Sequence, residues 1–116
     1  MKQERIMHRG DIFTANLGKG CGCEQGGFRP VLIVQNEEGI EHGSTVAVLS
    51  ITASDKRYMP THLELDAGNF GLVEKSIVLA ETVRAIDKRR LCKYVGTLDE
   101  QTLGKVDKIL KLNLGL

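Results

Sequence analysis

Residues 26 to 34 read Gly26-Gly27-Phe28-Arg29-Pro30-Val31-Leu32-Ile33-Val34. The last four are apolar and mostly β-branched. Such a run fits a strand buried on both faces better than a helix, which needs more length and a 3.6-residue period. Pro30 fixes φ and stiffens the entry to that strand, while the two glycines let the backbone approach a ligand closely. Arg29 is thereby held at the mouth of the strand, where its planar fork can grip a phosphate through two hydrogen bonds. The same side chain could instead cap the strand through an ion pair.

Outward from this segment the pattern repeats. Val46-Ala47-Val48-Leu49 and Ile77-Val78-Leu79-Ala80 are runs of the same kind, and Ile12-Phe13-Thr14-Ala15 reads as a further strand. His62-Leu63-Glu64-Leu65-Asp66 alternates polar with apolar, so one face of it should meet water. Tyr94-Val95-Gly96 is a short last strand. Turn-forming residues separate the runs at Asn36 to Gly43 and at Asp66-Ala67-Gly68-Asn69. Near the end the period changes: Leu103, Val106 and Leu110, with Ile109 beside them, line one face of an amphipathic helix. Asp99 is placed to cap it and Glu100 to favour the positive end of its dipole. Gly104 inside costs about 1 kcal/mol relative to Ala, so this helix should lean on packing. The expectation is a mainly β fold, a small antiparallel barrel closed by a C-terminal helix.

A chain of 116 residues fits one domain over residues 1–116, without repeats or linkers. Its 41% hydrophobic content suggests a single modest core, with little apolar material for a second. Aromatic residues are 4% with no Trp, which nearly removes base-stacking platforms of the general single-strand-binding kind. A formal charge of +1 argues against a broadly cationic coat, though it permits a local basic patch. Composition by itself does not point to RNA. The charged N-terminus does not read as a signal peptide, and no apolar run approaches the roughly 20 residues that span a bilayer. Three cysteines, Cys21, Cys23 and Cys92, are too few and odd in number for a disulfide framework. A cytoplasmic location and no membrane contact are expected.

Leu17 to Phe28 carries five glycines. A phosphate-cradling loop needs a Gly-Lys-Ser/Thr ending and a following helix, whereas this one leads into Arg29-Pro30 and a strand. The G-x-G-x-x-G pattern fails at Cys23. A flexible hairpin loop and a mobile flap over a groove both remain open, since long unstructured loops are often functional. Cys21-x-Cys23 lacks the spacing of a zinc site, and Cys92, His8, His42 and His62 complete no motif with it. Ordinary loop thiols, or a redox-sensitive pair beside Lys19, are the other readings.

Ser50-Ile51-Thr52-Ala53-Ser54-Asp55-Lys56-Arg57 ends the third strand, where a hydroxyl can contact phosphate or simply cap a turn. In Glu81-Thr82-Val83-Arg84-Ala85-Ile86, alternation puts Glu81, Val83 and Ala85 on one face and Thr82, Arg84 and Ile86 on the other. Asp87-Lys88-Arg89-Arg90 reads as a solvated turn whose basic groups could also touch a nucleic-acid backbone. Histidine can serve as a general base, but no nucleophile or carboxylate has recognisable spacing to His62, which reads as a strand residue.

Taken together the chain resembles the MazF/PemK toxin family. The resemblance rests on Arg9-Gly10-Asp11-Ile12-Phe13, on Glu24-Gln25-Gly26-Gly27-Phe28-Arg29-Pro30 with its strand, on Ile51-Thr52-Ala53, on Pro60-Thr61-His62-Leu63-Glu64-Leu65, and on Ser76 through Leu91. It covers nearly everything from Arg9 to Leu114. It implies an SH3-like barrel, a homodimer, and single-stranded RNA bound along the dimer interface. It implies catalytic roles for Arg29 and Thr52, RNA contacts from Glu24, Gln25, Phe28, Lys56, Glu81 and Arg84, and no metal or cofactor. The implied reaction is attack of a ribose 2′-OH on its own 3′ phosphate, which accounts for single-stranded RNA as substrate. An antitoxin with an acidic C-terminal segment is implied as partner. The Cys21-Gly22-Cys23 stretch departs from the family pattern. A competing reading is a non-nuclease relative on the same fold that poisons DNA gyrase through an aromatic C-terminus; this chain ends Leu114-Gly115-Leu116 without one.

Overall fold

The computed structural model describes residues 6–18, 27–53 and 59–116. The elements are β1 (Asp11–Asn16), β2 (Phe28–Ile33), α1 (Glu37–His42), β3 (Thr45–Ala53), β4 (His62–Leu65), β5 (Ser76–Asp87), a 3-10 turn (Lys88–Arg90), β6 (Leu91–Thr97) and α2 (Glu100–Leu114). The strands form one antiparallel sheet in the order β4-β5-β3-β2-β1-β6. Each apolar run of the sequence falls in one of these strands, with Val34 just past the end of β2.

The expected single core is in fact two clusters, one on each face of the sheet. Successive strand residues point to opposite faces, so continuous apolar runs supply both. One cluster gathers Ile12, Leu32, Leu49, Ile51 and Val78 beneath Val106 of α2. The other gathers Phe13, Val31, Ile33, Val46, Val48 and Ile86.

The expected barrel is a curled sheet whose edges, β4 and β6, are bridged by the loop between β4 and β5. Phe70 and Gly71 take positive φ, 56° and 82°, and lie directly on β6. A methyl group on Gly71 would sit 2.0 Å from the Val95 carbonyl oxygen, and one on Gly96 2.0 Å from that of Phe70. Only glycine allows that contact.

α2 begins and ends on the expected signals. The Asp99 carboxylate accepts the Thr102 amide at 2.7 Å, and Gly115 closes the helix in the left-handed conformation at φ 75°. The segment read as a turn from Asn36 to Gly43 holds α1, capped by Asn36. Six residues are too few to display a period, which is why it reads as a turn.

Several motif residues serve the scaffold. Arg9 donates from Nε to the Val34 carbonyl at 2.9 Å and pairs with Asp107 on α2 at 2.9 Å. The fully buried Asp11 carboxylate accepts the His8 amide at 2.9 Å and the Thr97 hydroxyl at 2.7 Å. In the basic turn, Lys88 donates to the Ile40 carbonyl and Arg90 to that of Asn16. Arg89 is solvated and paired with Asp87, whose carboxyl is held down to about 2 by hydrogen bonds from the Arg89 side chain and amide.

Candidate functional site

The β1–β2 hairpin carries Arg29 outward. Arg29 is level with Ala15 of β1, and the Leu17 amide donates to the Gly27 carbonyl at 2.9 Å, so the ladder continues into the stem of the glycine-rich segment. Phe28 is 71% exposed, an aromatic face open to solvent beside the half-buried Arg29.

β2 and β3 pair as Val31 with Ser50, Leu32 with Leu49 and Ile33 with Val48. Two residues further along that register, Arg29 falls level with Thr52. By alternation Arg29 shares a face with Val31 and Ile33, and Thr52 with Ser50, Val48 and Val46. That is the face of the second cluster. Both candidate catalytic side chains therefore belong to neighbouring strand ends on one sheet face, each half-buried. Arg84 is opposite Val48 and shares the same face. It lies four residues along β3 from Thr52, roughly 13 Å at the strand rise.

Between Val48 and Ser50 the β3–β5 register shifts, and β5 bulges. The Ser50 amide donates to the Thr82 hydroxyl at 2.9 Å, which in turn donates to the Leu79 carbonyl at 2.6 Å. The Ala80 amide donates to the Thr61 carbonyl at 3.0 Å, and the Ala80 carbonyl accepts from Asn113 of α2 at 3.2 Å. Simple alternation holds from Val83 to Ile86 but fails here, because the bulge inserts residues on one strand only. Glu81 is thereby turned toward β4.

There Glu81 meets two partners, Thr61 and His62, that the sequence did not connect with it. The Thr61 hydroxyl donates to its Oε1 at 2.8 Å, and His62 Nε2 lies 2.8 Å from its Oε2. Burial pushes the Glu81 carboxyl up. Hydrogen bonds from His62, its own amide and Thr61 outweigh this and hold it below the ordinary 4.5. The carboxylate is therefore ionised around neutral pH and is 37% exposed. His62, read as an ordinary strand residue, is instead tied to a candidate RNA contact.

Glu24, Gln25 and Lys56, and the cysteines Cys21 and Cys23, lie outside the described residues. Among the described residues no three His, Cys, Asp or Glu side chains converge as metal ligands would. None of the helices there is long and apolar enough to cross a membrane.

Known proteins resemble this chain in sequence and in fold. The family model described as "PemK-like, MazF-like toxin of type II toxin-antitoxin system" matches residues 8–114. Endoribonuclease EndoA of Bacillus subtilis (strain 168) is 43% identical over 112 residues, covering 96% of this chain and 97% of the relative. MazF from Deinococcus radiodurans superposes with a TM-score of 0.84 at 25% identity, covering 97% and 100% of the two chains. A mycobacterial endoribonuclease solved with its cognate antitoxin superposes at 0.80 with 26% identity, covering 95% and 96%.

Proposed function

The chain belongs to the PemK-like, MazF-like toxins of type II toxin–antitoxin systems, and on that premise we propose that it is a sequence-specific, ribosome-independent endoribonuclease acting as one domain on single-stranded mRNA. The reading is carried by the placement of Arg29 and Thr52 on adjacent strand ends and one sheet face.

The nucleophile comes with the substrate. The ribose 2′-OH gives up its proton to solvent as its oxygen bonds to the neighbouring phosphorus, the bond from phosphorus to the 5′-oxygen breaks, and that oxygen takes a proton from solvent. The products are a 2′,3′-cyclic phosphate (or, after hydrolysis, a 3′-phosphate) and a 5′-OH. A guanidinium keeps its proton in proteins and makes a poor general base. Arg29 instead stabilises negative charge building on the phosphorane and assists the leaving oxygen, while Thr52 donates a hydrogen bond to a phosphoryl oxygen. Removing one donor of this kind commonly costs about 2.7–4 kcal/mol of barrier stabilisation.

Base contacts come from Glu81 and Arg84, with Phe28 stacking and Glu24, Gln25 and Lys56 contributing from the flanking loops. The working form is a homodimer with RNA along its interface, acting in the cytoplasm. A cognate antitoxin covers the same groove with an acidic C-terminal segment, so salt weakens that complex. The test is incubation of the purified chain with a long unstructured RNA in EDTA, followed by mapping of new 5′ ends. Discrete cuts are expected. Intact RNA together with inhibited gyrase supercoiling would replace the nuclease reading with a gyrase poison.

A further inference from the structure

His62 makes an unusual investment for a residue of an edge strand. Its side chain is only 10% exposed, and Nδ1 is buried without a hydrogen-bond partner among the described residues. A proton on that nitrogen would be a buried donor with no acceptor, which is costly. In the neutral ring the N–H therefore belongs on Nε2, and Glu81 accepts it. The imidazole has been desolvated, one nitrogen has gained nothing, and the other serves a carboxylate at the surface. The arrangement's distinctive result is a Glu81 that cannot swing.

The carboxylate is held by a side-chain donor on each oxygen, the Thr61 hydroxyl on Oε1 and His62 on Oε2, and by its own amide. An ionised carboxylate has about four acceptor positions, two on each oxygen. With three taken, about one remains for a ligand. The bulge of β5 fixes the backbone beneath it through Thr82 and Asn113, so the spare acceptor is fixed relative to the sheet that carries Arg29 and Thr52.

Resting on the reading of Glu81 as a base contact, we propose that His62 is the positioning residue that makes Glu81 a specificity element, selecting at one RNA position a base that presents amino N–H groups. Adenine, cytosine and guanine each offer an amino group to an anionic acceptor. Uracil offers a single N–H between two carbonyl oxygens, which a fixed carboxylate repels. A free Glu side chain could rotate away from that repulsion, but a clamped one cannot.

The experiment uses the full chain and short RNAs containing its mapped cut site, each position replaced in turn by uracil. The ratio of kcat/KM for the parent and replaced RNA measures discrimination. The wild-type chain should show one position where uracil costs about tenfold, the size of one good base contact. In His62→Ala that penalty should shrink to about twofold while penalties elsewhere persist. His62→Gln, whose amide can donate from nearly the position of Nε2, should restore most of it. Glu81→Gln should behave like His62→Ala. Thr61→Val removes the other donor at similar volume and carries the same comparison if His62→Ala melts early. An unchanged uracil penalty in His62→Ala and Thr61→Val, or an equal loss at every position, overturns the positioning role while leaving the nuclease intact. A wild-type chain that cuts no RNA overturns the nuclease reading and this inference with it.

Discussion

Thr82 stands in for a strand partner of Ser50: its hydroxyl accepts the Ser50 amide at 2.9 Å and donates to the Leu79 carbonyl at 2.6 Å. A side chain thus completes a ladder that the β5 bulge would otherwise leave open. Ser50 is 2% exposed, so no bulk water is available to replace it. The hydroxyl links β3, the strand that carries Thr52, to the position of Glu81.

Thr82→Val keeps the shape and removes both hydrogen bonds. Leaving the Ser50 amide and Leu79 carbonyl unpaired should cost about 1–3 kcal/mol. Thermal unfolding should register a fall on the order of 10 °C for a chain of this size. Thr82→Ser should recover most of it.

The loop bridging the sheet edges offers a separate test. Gly71→Ala needs a side chain at φ 82° with its methyl 2.0 Å from the Val95 carbonyl oxygen. Left-handed strain and overpacking together should destabilise by at least ~2 kcal/mol, measured by denaturant unfolding. Gly68→Ala, also at positive φ but with nothing within 4 Å, should lose only the conformational part.

Acid should weaken the fold in a defined window. Asp87 is lowered to about 2 by hydrogen bonds from the Arg89 side chain and amide, and Asp99 is lowered by those from the Thr102 side chain and amide. A carboxyl whose folded value is depressed contributes above its unfolded value, here 3.8 for both, and loses that contribution as pH falls through the folded value. Stability should therefore be insensitive to these groups above about pH 5 and decline from about pH 4 toward 2. Melting curves across this range should show Asp87→Asn with a shallower decline. An equal slope in the variant would contradict the assignment.

Much of this fold was legible because continuous β-branched runs have few alternatives. Val31 to Val34 became strand as far as Ile33, Val46 to Leu49 and Ile77 to Ala80 did so throughout, and Asp99 marked the start of α2. The same continuity concealed the second cluster, since a run apolar at every position feeds both sheet faces. α1 was hidden by its length, with Ile40 as its only buried side chain. At the site, residue type and position pointed to Arg29, whereas Thr52 alone was a weak signal and Glu81 came from the family resemblance; the clamp on Glu81 was not readable. Its partners lie 19 and 20 residues away, and they meet it only because the bulge breaks the strand period.

The account stands most directly on Arg29 and Thr52 acting upon one phosphodiester. It is tested by single-turnover cleavage of a mapped RNA with wild type, Arg29→Ala, Thr52→Val and the double variant, each first shown to keep its fold and assembly. Each single change should lower the rate by about 100- to 1000-fold, and the double variant should fall well short of the product of the two losses, because groups serving one transition state are not additive. Near-normal cleavage by folded Arg29→Ala, or two losses that simply multiply, would contradict it.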